Sequence, residues 1–339
     1  MKNREVLLEL RDVKTYFPVQ KGVLKRTVGY VKAVDGVSIN IYRGETIGLV
    51  GESGCGKTTL GKTILQLIKP TSGEINYQFQ EGKKDLTRLS PKELDLAREK
   101  LQIVFQDPYS SLNPAFTIFG QLEDPLKKFG VKTRKKRRQI IGDLLEAVNL
   151  NRDYMDRYPN EFSGGQRQRI GIARALSVSP ELIVCDEAVS ALDVSIQAQV
   201  LQLLQKLKEE HDLTYIFITH DLSVVEYISD RIAVMYLGQI VELADAEQLY
   251  RHTMHPYTKA LLSAIPVADV NQKKKRIVLE GDVPSPVNKP SGCPFHPRCP
   301  IATELCKKEI PVLKKYAMDG KEHYVSCHLV DELLEEQHD

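Results

Sequence analysis

The sequence lacks any long uninterrupted apolar run. None of its 339 residues lie in a stretch approaching the roughly 18 consecutive apolar residues that a membrane-spanning helix needs. Residues 1–9 also lack the apolar core of a signal peptide. We therefore expect a chain that stays in the cytosol and reaches a membrane only through protein partners.

The sequence also has little net charge. Its 47 basic and 45 acidic side chains leave a formal charge of +2, which gives no global field that would steer it toward nucleic acid. The basic runs at 134–138 and 273–276 are most simply solvated faces or linkers. We expect no nucleic-acid partner.

The first quarter of the chain has the pattern of strands followed by a helix. Residues 6–17 and 33–41 alternate apolar and polar residues and are typical of an antiparallel sheet. Residues 46–50 form a short apolar run that leads through glycines into the helical pattern of 58–68. This order predicts a strand, a phosphate-binding loop and a helix.

The middle of the chain is mostly helical in pattern from 90 to 176, with Pro91 in the first turn after Ser90. Apolar runs at 181–185 and 214–219 then predict two buried strands, and the helical pattern of 195–211 supplies the crossover that parallel strands need. The expected class is α/β with a helical insertion. Beyond about residue 262, closely spaced prolines predict a loop-rich extension.

The phosphate-binding loop is the strongest motif. Residues 51–58 fit G-x-x-x-x-G-K-[ST] between a predicted strand and a predicted helix. Glycines let backbone N–H groups surround phosphate oxygens, Lys57 reaches the β- and γ-phosphates, and Thr58 offers its hydroxyl to Mg²⁺. The alternative is a glycine-rich turn with a surface lysine. The residues predicted to bind nucleotide here are Gly51, Ser53, Gly54, Cys55, Gly56, Lys57, Thr58 and Thr59.

Two acidic residues follow the apolar run at 182–185. At the carboxyl end of a parallel strand, Asp186 would hold Mg²⁺ and Glu187 would act as general base toward the attacking water. An isolated acidic pair is more often a helix cap or part of a solvated loop. Its place downstream of the phosphate loop favours the catalytic interpretation.

Residues 162–169, Phe-Ser-Gly-Gly-Gln-Arg-Gln-Arg, resemble the signature motif of ABC ATPases. The motif opens a helix, so its N–H groups form a second anion site; the alternative is a serine N-cap followed by flexible glycines. The resemblance implies that Ser163, Gly164, Gly165 and Gln166 contact the γ-phosphate bound to a partner ATPase domain. Two ATP molecules would then lie between two head-to-tail subunits.

Further landmarks of the ABC family stand in the expected order. The resemblance implies that Gln106 senses Mg²⁺ and the attacking water, that Asp193 lies at the dimer seam, and that His220 contacts the γ-phosphate. Taken singly, Gln106 and His220 would be an ordinary surface amide and a loop histidine. Tyr16 and Phe17 are candidates for stacking on adenine, with Phe17 favoured by spacing and sheet packing as the alternative for either.

The resemblance is closest to the F-type ATPase subunits of oligopeptide and dipeptide importers. It is carried by residues 189–199, by 255–262 (HPYTKALL) and by 281–300 (GDVPSPVNKPSGCPFHPRCP). Departures are Ala188, where proline is common, and the pair at 115–116. The resemblance implies a RecA-like parallel core, an antiparallel β subdomain and a helical subdomain at about 90–177, together spanning 1–262, followed by an extension at 263–339.

Four of the six cysteines fall in that extension with the spacing C-x5-C-x6-C-x20-C: Cys293, Cys299, Cys306 and Cys327. A reducing compartment argues against disulfides. Four thiolates suit either zinc or an iron–sulfur cluster, and no C-x2-C pair typical of structural zinc is present. Resemblance to peptide-importer ATPases that carry a 4Fe–4S cluster favours the cluster, with zinc and free thiols as alternatives.

The functional expectation is therefore an ATP-hydrolysing subunit of an importer for di- or oligopeptides, placed at the cytoplasmic face of the membrane. Its expected partners are a second ATPase subunit forming a heterodimer, two transmembrane permeases and an extracytoplasmic binding protein. Alternatives are the same role in an importer of nickel, glutathione or sugar, an ABC ATPase acting outside transport, and a nucleotide sensor without turnover.

Overall fold

The computed structural model describes residues 5–22, 25–265 and 276–335. The β-strands in these ranges are β1 (Val6–Lys21), β2 (Arg26–Tyr42), β3 (Thr46–Val50), β4 (Ser72–Phe79), β5 (Gly82–Asp85), β6 (Leu101–Val104), β7 (Leu182–Asp186), β8 (Thr214–Ile218), β9 (Arg231–Tyr236), β10 (Gln239–Asp245), β11 (Lys314–Met318) and β12 (Lys321–Val325). The α-helices are α1 (Lys57–Ile64), α2 (Pro91–Lys100), α3 (Ile118–Lys128), α4 (Arg134–Ala147), α5 (Gly164–Leu176), α6 (Val194–His211), α7 (Leu222–Ile228), α8 (Ala246–Arg251), α9 (Pro256–Ser263), α10 (Glu304–Lys308) and α11 (Val330–Glu335).

The chain divides into two compact units. The described residues of 1–7, 42–46 and 88–218 form the first unit, and those of 8–41, 47–87 and 219–339 form the second. The domain boundary expected at 262/263 stays a prediction. Part of the predicted basic run at 273–276 and Pro266 lie outside the described residues.

The first unit contains a parallel sheet and the helices α2 to α6. Strand β7 pairs in parallel with both β6 and β8, and every residue of β7 and β8 is buried. Strands covered on both faces have continuous apolar sequences, so β7 and β8 could be predicted from the sequence. Helix α6 supplies the expected crossover between these two strands. Strand β6 lies inside the region predicted to be mostly helical, because four residues are too few to show a period.

Helix α2 begins where the sequence predicts. Ser90 is its N-cap and accepts the N–H of Glu93, while the Glu93 carboxylate accepts the N–H of Ser90 at 2.9 Å. Pro91 occupies the first turn, where its missing N–H costs no hydrogen bond. This reciprocal capping fixes the start of the helical region in the first unit.

The second unit contains an antiparallel sheet in the order β2-β1-β4-β5, which confirms the two N-terminal strands. Its other strands are joined by parallel pairing of β3 with β9 and antiparallel pairing of β9 with β10 and of β10 with β12. The β11–β12 hairpin lies in the segment predicted to be loop-rich. Strand β11 (KKYAM) begins with two lysines and does not alternate apolar and polar residues, so it gives little sign of a strand.

The apolar core of the second unit includes residues from both sides of position 262. Val50 at the end of β3 and Tyr236 at the end of β9 share one cluster with Tyr257 of α9 and with Cys293 and Phe295 of the C-terminal segment. All five are at most 9% exposed. The segment after residue 276 is therefore packed into the core that supports the phosphate loop.

Of the helices in the described ranges, none is both long enough and apolar enough to cross a bilayer.

Candidate nucleotide-binding site

The phosphate loop joins β3 to α1, as predicted, and its glycines are required by backbone geometry. Gly56 has a φ of 107°, and an added Cβ there would lie 2.0 Å from the Ala33 carbonyl oxygen. At Gly51, with a φ of 150°, it would lie 2.2 Å from the Met235 carbonyl oxygen. Only glycine allows both the left-handed conformation and this close approach of neighbouring backbone.

Lys57 lies within the loop rather than on the surface. Its side chain is buried, and Nζ donates to the carbonyl oxygens of Gly51 at 2.8 Å and of Glu52 at 3.0 Å. Helix α1 has Gly56 at its N-cap, with no side-chain capping bond. A buried ammonium beside a helix N-terminus without a side-chain cap is a favourable place for phosphate oxygens.

Cys55 contributes a small apolar side chain to the loop. It is 4% exposed, and burial raises the pKa of its thiol, an effect that the nearby Lys57 partly opposes. The protonated thiol packs as a hydrophobic group. Any contact that residue 55 makes with nucleotide remains a prediction and would involve its backbone.

The two candidate aromatic residues differ in their surroundings. The Tyr16 hydroxyl donates to Asp35, which also accepts Lys289 Nζ at 2.8 Å, and Lys32 Nζ lies 5.8 Å from the Tyr16 ring centroid. Phe17 is 39% exposed. The polar contacts hold Tyr16 in place, whereas Phe17 presents its ring to solvent. The choice of Phe17 for adenine stacking stays a prediction.

In the first unit the structure brings two predicted catalytic residues into contact. Asp186 is the buried last residue of β7, and Glu187 follows it with a φ of 49° and its N–H bonded to the Ile218 carbonyl at 2.9 Å. Gln106 Nε2 donates to Glu187 Oε2 at 2.8 Å. A carboxylate with a left-handed backbone and an amide partner is held in one orientation, which suits a general base.

The signature motif forms the N-terminus of α5. Ser163 is its N-cap, with Oγ accepting the N–H of Gln166 at 3.4 Å and Gln166 Oε1 accepting the N–H of Ser163 at 3.0 Å. An added Cβ at Gly165 would lie 2.5 Å from Ile196 Cγ2. Glycine at 165 thus lets α5 approach α6 closely, and the contact of Ser163 with the γ-phosphate of a partner stays a prediction.

Asp193 and His220 mark the ends of predicted elements. Asp193 is the N-cap of α6, where hydrogen bonds, first from the Ser195 hydroxyl at 2.7 Å and then from the Ile196 N–H, lower its pKa. His220 is exposed and belongs to the second unit, where it lies just before α7. Their roles toward nucleotide stay predictions.

The prediction of a 4Fe–4S cluster or zinc at the C-terminal cysteines is wrong. Among the residues that the structure describes, no group of three or more His, Cys, Asp or Glu side chains is arranged to hold a metal ion. Cys293 and Cys306 lie in the main core cluster with Cys299 against it, and Cys327 packs on a smaller apolar cluster that includes Val325. Burial, with the neighbouring thiols adding to it, raises the pKa of both Cys293 and Cys327 to about 11. In this chain these thiols pack as small apolar groups of the two clusters.

No motif predicted a role for Glu52, Tyr257 or Arg298, yet all three meet at the phosphate loop. Arg298 donates to both carboxylate oxygens of Glu52, and the Tyr257 hydroxyl accepts the N–H of Glu52. The stretches that contain Tyr257 and Arg298 were noted only as family resemblances. Tyr257 and Arg298 are far from Glu52 in the sequence, so local patterns could not predict their contacts with it.

Comparison with known proteins agrees with this geometry. Residues 34–190 match the family described as "ABC transporter", and residues 241–306 match "Oligopeptide/dipeptide transporter, C-terminal region". The chain is 53% identical over 330 residues to the oligopeptide transport ATP-binding protein AppF of Bacillus subtilis (strain 168), covering 96% of this chain and 98% of that protein. It is 48% identical over 335 residues to OppF of Escherichia coli (strain K12), covering 97% of this chain and 98% of that protein.

A solved structure extends the likeness to three dimensions. The dimeric, post-hydrolysis ATP-binding cassette MJ0796, bound to ADP and Pi, is 30% identical, has a TM-score of 0.62, and covers 71% of this chain and 99% of its own. Phosphate loop, signature motif and paired acids on this fold define an ABC-type ATPase, which confirms the predicted fold class. More narrowly, the chain belongs to the oligopeptide/dipeptide family of ABC transporter ATP-binding proteins.

Proposed function

We propose that this chain hydrolyses ATP to drive an importer of di- or oligopeptides. The hydrogen bond between Gln106 and Glu187, one residue beyond the buried Asp186, is the observation that carries the catalytic part of the proposal. The peptide part is supported by relatives named for oligopeptide and dipeptide transport, such as DppF of Haemophilus influenzae (strain ATCC 51907 / DSM 11121 / KW20 / Rd), at 47% identity over 98% of this chain and 99% of that protein.

The phosphate loop binds the triphosphate in this proposal. Lys57 exchanges its carbonyl partners at Gly51 and Glu52 for β- and γ-phosphate oxygens, and the N–H groups at the start of α1 direct their dipoles at the same charge. Phe17 stacks on the adenine.

Hydrolysis requires a base that accepts a proton from the attacking water. Glu187 fills that role, Gln106 orients its carboxylate, and His220 contacts the γ-phosphate. The family implies Mg²⁺, and the oxygen donors of Thr58, Asp186 and Gln106 are of the kind that this ion prefers. When bound, Mg²⁺ neutralises phosphate charge as the terminal bond breaks.

Assembly follows from the signature motif. Ser163, Gly164 and Gly165 contact the γ-phosphate held by the phosphate loop of a second, related ATPase subunit, so ATP closes a head-to-tail heterodimer and hydrolysis reopens it. Asp193 lies at the same dimer interface. The dimer docks on the cytoplasmic side of two transmembrane permeases, which receive peptide from an extracytoplasmic binding protein. MJ0796, the ABC cassette compared above, was solved as a dimer, which supports this arrangement.

The test is Glu187→Gln in the assembled transporter. We expect ATP turnover to fall by about 10²- to 10⁴-fold, because the amide cannot accept the proton, while ATP binding persists. Peptide uptake into vesicles should cease in parallel. Glu210→Gln is the matched control, since Glu210 is an exposed acid of α6 that pairs with Lys206 and should leave turnover unchanged. Normal turnover in Glu187→Gln would refute the assigned base, and ATPase activity that no peptide stimulates would refute the peptide importer.

A further inference from the structure

Glu52 is an acidic residue placed inside a loop that binds anions, and each of its polar groups has a partner. Its N–H donates to the Tyr257 hydroxyl at 2.8 Å, and its carbonyl oxygen accepts Lys57 Nζ at 3.0 Å. Its carboxylate accepts two hydrogen bonds from Arg298. The conformation of the loop at residue 52 is thus held by two residues of distant segments and by the phosphate-binding lysine.

The Arg298 contact has the geometry of a strong charged pair. Nη1 lies 2.8 Å from Glu52 Oε2 and Nη2 lies 3.1 Å from Oε1, so the two planar groups meet through parallel bonds. The Arg298 side chain is 8% exposed and that of Glu52 is 28% exposed. The bonds to Glu52 raise the pKa of Arg298, which stays charged. Solvent screens this pair less than a surface pair.

An aromatic cluster fixes the positions of both partners of Glu52. The rings of Tyr236, Tyr257 and Phe295 lie with their centroids 4.7 to 5.5 Å apart in tilted or edge-to-face arrangements. Arg298 stands three residues after Phe295, and its N–H donates to the Phe295 carbonyl at 3.0 Å. Packing of Phe295 into the core therefore places the Arg298 guanidinium at the phosphate loop.

We propose that Arg298 is a positioning residue for nucleotide binding: it neutralises the Glu52 carboxylate and holds it away from the phosphates. The inference rests on the proposed function, in which this loop binds ATP. A carboxylate without its cation would repel the triphosphate and would be free to reach Lys57 or the N–H groups of the loop. The C-terminal segment then sets ATP affinity without contacting ATP.

Arg298→Ala tests the proposal because it leaves the Glu52 charge without its cation. We expect the dissociation constant for Mg-ATP to rise about tenfold, the effect of one lost charged pair, with little change in kcat once ATP saturates. The rise should grow as the ionic strength is lowered. Removing the carboxylate as well, in Arg298→Ala/Glu52→Gln, should return the affinity to within about threefold of Glu52→Gln alone.

The measurement is calorimetric titration of the full-length chain with Mg-ATP, followed by ATPase assays in its assembled complex. Lys307→Ala is the matched control, since Lys307 lies in the same segment and forms an exposed pair with Glu304. Lys57→Ala serves as the variant that cannot bind. If Arg298→Ala fails to fold, Arg298→Lys, which keeps the charge but not the two parallel bonds, should still weaken ATP binding by a smaller factor.

The outcomes separate this proposal from the one on which it rests. Wild-type chain that binds no ATP would refute both. Wild-type binding with an unchanged dissociation constant in Arg298→Ala and Arg298→Lys would refute the positioning role alone. A double variant as impaired as Arg298→Ala would show that packing, and not the charge of Glu52, causes the loss, and would also refute it. Rescue by Glu52→Gln, with Lys307→Ala unchanged, supports the proposal.

Discussion

His255 is the N-cap of α9, and its burial makes the stability of the second unit depend on pH. The side chain is 1% exposed, and Nδ1 accepts the N–H of Tyr257 at 3.1 Å. Burial lowers the pKa of His255 from 6.5 to about 4, although the nearby Glu242 partly opposes the shift. Protonation would also cost the capping bond, because Nδ1 could no longer accept. The folded chain therefore holds this histidine neutral.

The sign and size of the effect follow from the two pKa values. Above about pH 6.5 the imidazole is neutral in both states, and stability is complete. As pH falls toward 4 the unfolded chain binds the proton first, so about 1.4 kcal/mol is lost per pH unit. The shift of His255 corresponds to about 3 kcal/mol in all, of which roughly 1.4 kcal/mol is lost by pH 5.5.

His255→Asn should remove this pH dependence while retaining a capping acceptor. Thermal unfolding of the full-length chain at pH 7.5, 6.5 and 5.5 measures this pH dependence. A loss of 1 kcal/mol in the free energy of unfolding lowers the unfolding midpoint by about 2 to 4 °C. The variant should be less stable throughout, because the ring packs on Phe295, but its midpoint should fall less with acid. The Glu242–His323 pair remains in both proteins. His211→Asn, at an exposed position, is the control, and parallel curves for wild type and His255→Asn would refute the reasoning.

Two further predictions concern the phosphate loop and the cysteines. Gly56→Ala should abolish measurable Mg-ATP binding, because the added Cβ would clash with the Ala33 carbonyl. Gly130 has a φ of 96° but open space around it, so the control variant Gly130→Ala should bind Mg-ATP normally. Equal affinities of the two variants for Mg-ATP would contradict the steric argument. Cys293 should react with iodoacetamide at pH 8 about a hundredfold more slowly than in the urea-unfolded chain, since burial raises its pKa to about 11. Mass spectrometry follows the alkylation, and equal rates would show that the thiol is not protected.

The parts of the site that could be predicted are those encoded locally. Gly51 and Gly56 indicate a backbone conformation that only glycine adopts. Ser90 followed by Pro91 predicts the start of a helix, and the apolar run before Asp186 predicts a buried strand. In each case the physical requirement acts on neighbouring residues. Pattern and structure therefore agree.

The features that could not be predicted from the sequence depend on contacts between residues that are far apart in the chain. The four residues of β6 are too short for a period, and their strand exists because β7 pairs with them. The cysteine spacing indicated a metal site, but spacing along the chain does not fix how the side chains are arranged in space, and among the described residues no group of three or more is arranged to hold a metal ion. The Arg298–Glu52 contact spans 246 residues, a distance over which no local rule applies.

That same separation has a consequence for how the protein is made. Residue 52 is synthesised early and residue 298 near the end, so a growing polypeptide on the ribosome carries the loop long before the arginine that pairs with it. Contacts between residues so far apart in the chain form slowly, and packing of the aromatic rings places the arginine at the loop. If Arg298 positions Glu52 as proposed, full affinity for nucleotide is therefore reached only after residue 298 has emerged and packed.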